Sequence, residues 1–206
     1  MISFAYFDLG GVVVADVNET DKWAKMKRDI RIRIEDDNEF DRFYSECEKE
    51  VCVGRDVDTL IPLIAKEFHV NFPVGYSLLT NFINRFEQNK PIWSVIDRIK
   101  KDCKIGLLTN MYPRMFSAIM KKRIMPEIVW DVIIDSSIEG CQKPGLKIFE
   151  LAQEKSNTEK DNILFVDNKI KNTNAAKKFG WKVFLYDSSN HENSSHNLLN
   201  YYKRLI

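Results

Sequence analysis

The sequence has no pair of cysteines at CxxC spacing, only three histidines scattered at 69, 191 and 196, no long apolar run and almost no net charge. Each absence removes a class of function. Cys47, Cys52, Cys103 and Cys141, set apart from one another and from the histidines, indicate neither a zinc site nor a disulfide framework, so a reduced, cytoplasmic location is expected. Thirty-one Lys and Arg against thirty Asp and Glu leave a net charge of +1, and no global field recruits nucleic acid or an anionic membrane. The local clusters Lys100, Lys101 and Lys104, and Lys121, Lys122 and Arg123, read as solvated helix faces. The N-terminal apolar run has no Lys or Arg before it and is interrupted by Asp8, which reads as neither a signal peptide nor a membrane span.

What is present is enough for a core. With 206 residues and 44% apolar content, the chain fits one domain, or one domain with a smaller insert. Short apolar runs end on polar residues at Phe4 to Phe7, Ile105 to Leu108, Val132 to Ile134, Ile163 to Val166 and Val183 to Tyr186, the pattern of buried parallel strands. Between them, helical spacing links Ile92, Val95, Ile96 and Ile99, then Ile148, Leu151 and Ala152, then Ala175, Ala176 and Phe179, with Gly180 as a stop. This alternation predicts a doubly wound, Rossmann-like α/β core from 1–15 and 91–206. Residues 16–90 break the alternation with charged helical sequence and read as a small inserted helical domain, in which Trp23, Phe40, Phe43 and Tyr44 are expected to pack. The polar stretch from Ser188 to His196 suggests a loose surface segment with exposed histidines.

In an open parallel sheet the site lies beyond the carboxyl ends of the strands. Asp8 with Gly10 and Gly11, then Thr109 and Asn110, then Lys143, then Asp167 and Asn168 with Asn172 beyond, stand at those ends or at the start of a connecting helix. The set offers two carboxylates, a hydroxyl and an ammonium. A carboxylate can attack phosphorus, a lysine and a hydroxyl can hold the other phosphate oxygens, and a divalent cation shared by Asp8 and Asp167 can neutralise the charge. Gly10 and Gly11 permit a sharp turn that brings backbone N–H groups to the phosphate.

FDLGGVV, LLTN, QKP and FVDNKIKN resemble, in order, the four motifs of the haloacid dehalogenase superfamily, over about Phe4 to Asp187. The resemblance implies a magnesium-dependent phosphatase of a small phosphorylated metabolite, a sugar phosphate or similar, with the insert as a helical cap. By position it makes Asp8 the nucleophile and a metal ligand. Gly11, Thr109, Asn110 and Lys143 become phosphate binders, and Gly10 (through its carbonyl), Asp167 and, more weakly, Asn168 complete the metal site. Two residues depart from the pattern. Gly10 stands where such phosphatases carry an acid two positions after the nucleophile, and Asn168 stands where many have a second aspartate. Asp16 is the nearest downstream acid that could substitute, although a surface role is the expected one for it. The departures motivate an alternative, a catalytically impaired binding or interaction protein of the same fold. The dehalogenase branch, which attacks carbon and uses no metal, is disfavoured because it has an uncharged residue where this chain has Asp167.

Overall fold

The structure, a computed structural model, describes residues 1–17 and 21–206; residues 18–20, within the expected insert, lie outside that description. Seven strands are present among the described residues: β1 (Phe4–Phe7), β2 (Val14–Ala15), β3 (Glu87–Gln88), β4 (Lys104–Thr109), β5 (Val132–Asp135), β6 (Ile163–Asp167) and β7 (Lys182–Leu185). Five of them form one sheet in the order β5-β4-β1-β6-β7, and every pairing in it is parallel. The five apolar runs are therefore the five strands of the sheet; the first matches its run, and each of the others differs from it by no more than one residue at an end.

Both faces of this sheet are covered, which is why its strands are apolar throughout instead of alternating. Successive side chains of a strand point to opposite faces. Along β1, Ala5 and Phe7 join a core with Ile92, Val95, Ile96, Ile99, Leu198 and Tyr202, whereas Phe4 and Tyr6 join a separate core with Ile148, Phe149, Ala152 and Ala176. The helices carrying these residues can be named with the rest: α1 (Lys22–Asp29), α2 (Asp37–Val51), α3 (Ile61–Glu67), α4 (Leu78–Arg85), α5 (Lys90–Lys100), α6 (Met115–Lys121), α7 (Ser136–Glu139), α8 (Leu146–Ser156), α9 (Ile170–Phe179) and α10 (His191–Lys203). Pro91 opens α5, where the missing N–H has no helical partner to lose, and Gly180 ends α9 at φ 109°, a left-handed conformation that glycine adopts without a Cβ clash.

From Lys22 to Arg85 the regular structure is helical only. Where the chain leaves the sheet region and where it returns, β2 and β3 pair antiparallel, Val14 with Gln88 and Ala15 with Glu87. The aromatic residues of this segment pack on one another: Trp23 stands 5.1 Å from Tyr44 and 5.9 Å from Phe40, and Phe40 stands 5.3 Å from Phe68, ring centre to ring centre.

Two surface expectations are corrected. Ser188 to His196 is not a loose segment: Ser194 and Ser195 are buried, His191 is half-buried and only His196 of the two histidines is exposed. The reason is an apolar stripe, Leu198 and Tyr202, that docks α10 onto the α5 side of the sheet. Lys122 is likewise more than a solvated charge, because its Nζ donates to the carbonyls of Ile83, Asn84 and Phe86 and so caps the C-terminal end of α4. Among the described residues no helix is long and apolar enough to cross a membrane, and the four cysteines are free thiols.

Candidate active site

The central position of β1 decides where the site forms. The chain leaves β1 with neighbours β4 on one side and β6 on the other, so the crevice beyond its carboxyl end collects the segments that follow all three strands. Asp8 sits at that end. Its N–H donates to the Val166 carbonyl at 2.8 Å, extending the β1–β6 ladder by one bond, and its Oδ1 accepts the Leu9 N–H at 2.8 Å.

Lys143 is brought to Asp8 by Asn110. The Asn110 side chain grips the Lys143 backbone from both ends, with Oδ1 accepting the Lys143 N–H at 2.8 Å and Nδ2 donating to its carbonyl at 2.9 Å. The side chain of Lys143 is then wholly buried, its Nζ 3.0 Å from Asp8 Oδ1, 2.7 Å from Asp167 Oδ2 and 2.8 Å from the Leu108 carbonyl. Three protons meet three acceptors. Two anions and one cation out of water leave an excess negative charge, and the titration behaviour follows. Burial pushes the Asp8 carboxyl up to about 7, against the opposing pull of Lys143 and with a further push from Asp167. For Lys143 burial works downward, but Asp167 and Asp8 outweigh it and the net shift is upward.

Asp167 is held on all sides. Its Oδ1 accepts the Lys169 N–H at 2.7 Å, and Asn172 Nδ2 reaches both oxygens at 3.2 and 3.0 Å, in addition to the bond from Lys143. It is fully buried and does not line the cavity, and its contacts are to Lys143, Lys169 and Asn172. Asn168 faces the cavity instead. The direction of its amide follows from its neighbour: the Ser188 hydroxyl donates to the Gly11 carbonyl at 2.9 Å and is left to accept from Asn168 Nδ2 at 3.0 Å. Asn168 Oδ1 is thereby turned away from Ser188, buried and without a hydrogen-bond partner among the described residues, and Asn172 Oδ1 is in the same condition.

Gly11 is required here by sterics. A Cβ on it would stand 2.1 Å from Asn168 Nδ2, and its φ of 78° is unfavourable for any other L-residue. Thr109 is buried at the end of β4 and lines the cavity with Asn110; its Oγ1 makes only a long 3.5 Å contact with the Asn110 carbonyl.

The cavity measures about 660 Å³, within the range of small-molecule sites. Its floor holds Asp8, Gly10, Thr109, Asn168 and Asn172, and its upper wall comes from the helical segment, with Trp23, Tyr44 and Glu48 among its residues. A hydrogen-bonded chain joins that wall to the core: Tyr44 donates to Tyr112 at 3.0 Å, and Tyr112 to Glu48 Oε1 at 2.5 Å. Burial, then the neighbouring Glu48 charge, keeps the Tyr44 phenol protonated, and burial does the same for Tyr112. The cavity also receives Lys169 and Lys171, two cations that sequence reasoning did not select. Their place directly after Asp167 and Asn168 was the available signal. Ser188 was missed outright, since nothing near it in the chain points to Gly11.

The oxygen donors present suit magnesium, which prefers carboxylate, carbonyl and amide oxygens. Asp8, the Gly10 carbonyl and the partnerless Asn168 Oδ1 would hold it. With Asp167 committed to Lys143, a single carboxylate would contribute charge, and no cluster of three His, Cys, Asp or Glu exists among the described residues.

A model of the haloacid dehalogenase-like hydrolases matches residues 6–180. The chain belongs to that family, and it is a hydrolase of the haloacid dehalogenase type. Among solved structures it is similar to the HAD family enzyme BT-2542 of Bacteroides thetaiotaomicron, with 15% identity and a TM-score of 0.75, covering 96% of this chain and 98% of that one. That enzyme has also been crystallised with magnesium and inorganic phosphate. A predicted HAD-like hydrolase of Porphyromonas gingivalis matches at 20% identity and a TM-score of 0.73, covering 100% of this chain and 98% of the other. The L-2-haloacid dehalogenase of Xanthobacter autotrophicus, with chloropropionic acid covalently bound, matches at 15% identity and a TM-score of 0.66, over 90% of this chain and 78% of that one. No curated protein matches the sequence.

Proposed function

We propose that this protein is a magnesium-dependent phosphatase acting on a small phosphorylated metabolite, a sugar phosphate or a compound of similar size, through a phosphoryl-aspartate on Asp8. The observation that carries the reading is Asn168: the residue lines the cavity together with Asp8, and its buried Oδ1 accepts no hydrogen bond among the described residues, which suits a ligand for a hard cation. Carbon chemistry of the dehalogenase kind has no use for it. Magnesium, when bound, would neutralise the negative charge that Asp8 and a phosphate bring together.

The residues themselves do the remaining work. Lys143 fixes Asp8 Oδ1 and lowers the energy of its ionised form, which the attacking carboxylate requires. Attack on phosphorus forms the Asp8 acyl phosphate, and water then releases inorganic phosphate. The Thr109 hydroxyl and the cations Lys169 and Lys171 at the cavity receive the phosphate oxygens, while Gly11, whose N–H is held by the Val14 carbonyl, serves by closing the turn beside Asp8. Asn110 contributes by holding Lys143 in place. Residues 16–90 serve as the cap that selects the substrate, and the protein works in the cytoplasm, in keeping with its free thiols.

Purified protein should hydrolyse p-nitrophenyl phosphate, acetyl phosphate or members of a sugar-phosphate panel with magnesium and not with EDTA. If nothing exceeds the Asp8→Asn background, the interaction-protein reading replaces this one; chloride release from 2-chloropropionate without metal would instead establish a dehalogenase. A second expected result concerns the ion alone. Asn168→Asp adds a charge to the ligand set and should lower the magnesium concentration giving half-maximal activity by about tenfold, the effect of roughly 1.4 kcal/mol in binding. An unchanged or raised requirement would remove Asn168 from the metal site.

A further inference from the structure

Displacing an alcohol from phosphorus leaves charge on the departing oxygen, and a positioned acid typically speeds such a step by about 10²–10⁴-fold. Gly10 has no side chain to supply one. Among the described residues, four carboxylates line the cavity: Asp8, Asp16, Asp41 and Glu48. Asp8 is taken as the nucleophile. Asp41 lies on α2 and receives Trp23 Nε1 at 2.7 Å and Lys27 Nζ at 3.0 Å, and Glu48, one helix turn and more beyond it, receives the Tyr112 hydroxyl.

Asp16 is the carboxylate of this set that stands beside Gly10. The turn after Asp8 doubles back on itself, with the Gly11 N–H donating to the Val14 carbonyl at 2.8 Å and the Val14 N–H to the Leu9 carbonyl at 3.0 Å. Val14 and Ala15 are then held against Gln88 and Glu87, which fixes the direction in which the next residue leaves. The result is that Asp16 Oδ2 lies 3.0 Å from the point where a Cβ on Gly10 would stand, with the residue 8% exposed and on the cavity wall. A carboxylate eight residues downstream thus enters the volume that a side chain two residues after the nucleophile would enter. The bare Gly10 and the inward Asp16 share one space, because a side chain at 10 would crowd the carboxylate and push it aside by a few tenths of an ångström.

Resting on the phosphatase reading above, we propose that Asp16 is the acid–base residue of this enzyme, acting in the space left by Gly10. In the first half-reaction an Asp8 oxygen bonds to phosphorus, the bond to the leaving oxygen breaks, and that oxygen takes both the bonding pair and the proton of the Asp16 carboxylic acid. In the second, the Asp16 carboxylate takes a proton from water as its oxygen bonds to phosphorus. The bond between phosphorus and the Asp8 oxygen breaks, its pair returns to Asp8, and inorganic phosphate leaves with Asp16 protonated again.

The test uses full-length protein, saturating magnesium and a series of phosphate monoesters running from nitrophenyl to alkyl leaving groups. Asp16→Asn should lower kcat/KM about 10²–10⁴-fold for alkyl esters and much less for p-nitrophenyl phosphate, whose leaving group needs no proton. A merely structural Asp16, for example one that only steadies the neighbouring α10 segment, would lower all members alike. A second variant addresses the shared space directly: Gly10→Asp combined with Asp16→Ala should recover alkyl-ester turnover that Asp16→Ala alone has lost. The assignment is overturned if Asp16→Asn retains alkyl turnover, or if every substrate falls equally and the double variant recovers nothing. A wild-type protein inert toward all phosphate esters would instead defeat the phosphatase reading, and this assignment with it.

Discussion

Lys143→Met should destabilise the protein by about 3–5 kcal/mol at neutral pH, the usual consequence of removing one partner from a buried ionic group. Methionine fills a similar volume, so the loss reports charge and not a cavity. Without the ammonium, Asp8 and Asp167 are left as two buried carboxylates with no cation between them, and the Leu108 carbonyl loses its donor. The Asp8 carboxyl, raised by burial and no longer drawn down by Lys143, then titrates above its unfolded value. The native state would retain protons that the unfolded chain releases, so the deficit grows as pH rises through and above the carboxylate range and shrinks toward pH 4. Urea unfolding of wild type and variant across that range in EDTA checks the result, and equal deficits at both ends would show that packing, not charge, accounts for it. Turnover should vanish as well.

Asp8→Asn should have the opposite effect on the fold while abolishing function. Loss of a covalent nucleophile is expected to lower turnover by at least about 10⁴-fold. The same change removes the excess negative charge of the buried trio and leaves Lys143 balanced by Asp167 alone. The sign can be worked out from the direction of the Asp8 shift. Its folded pKa, about 7, lies above the unfolded value near 3.8, so wild type loses stability as pH rises through that window and carries the full penalty above it. The variant escapes this penalty. Asp8→Asn should therefore melt several degrees above wild type at pH 8 in EDTA, at about 2–4 °C per kcal/mol for a chain of this length, and show no advantage at pH 4. Magnesium should narrow the gap, since it stabilises only the protein that retains the carboxylate. A variant less stable than wild type at pH 8 would mean that Asp8 and Lys143 attract more strongly than burial opposes them.

These two residues also mark how far sequence alone could reach. Asp8, Thr109 and Asp167 are legible because each follows a short apolar run, positions that a parallel sheet sends to one edge, and Lys143 because it stands at the start of a connecting helix. The register that seats them, Phe7 opposite Leu107 and Val166, is a direct consequence of those runs. What each residue does once there depended on side-chain geometry that no spacing encodes. Asn110 spends its amide on the Lys143 backbone and Asp167 its carboxylate on Lys143, Lys169 and Asn172, while Asn168 keeps a buried oxygen without a hydrogen-bond partner among the described residues. The proximity of Asp16 to Gly10 was equally hidden, because it arises from a turn closed by backbone bonds that almost any residues could make. Polar composition misled at Ser188 to His196: the hydroxyls there are buried because they serve other segments, and composition carries no record of a partner.

The bond between Ser188 and Gly11 spans 177 residues. Contacts of such separation form late in folding, because a long loop must close before they add any stability. During synthesis, at about 5–20 residues per second, the turn beside the nucleophile would wait on the order of ten seconds for the segment that secures it. Asn168, oriented by the same hydroxyl, waits with it. Incomplete chains would then carry Asp8 without a finished ligand set around it, so that a nascent polypeptide is kept from chemistry until nearly the whole sheet has been made.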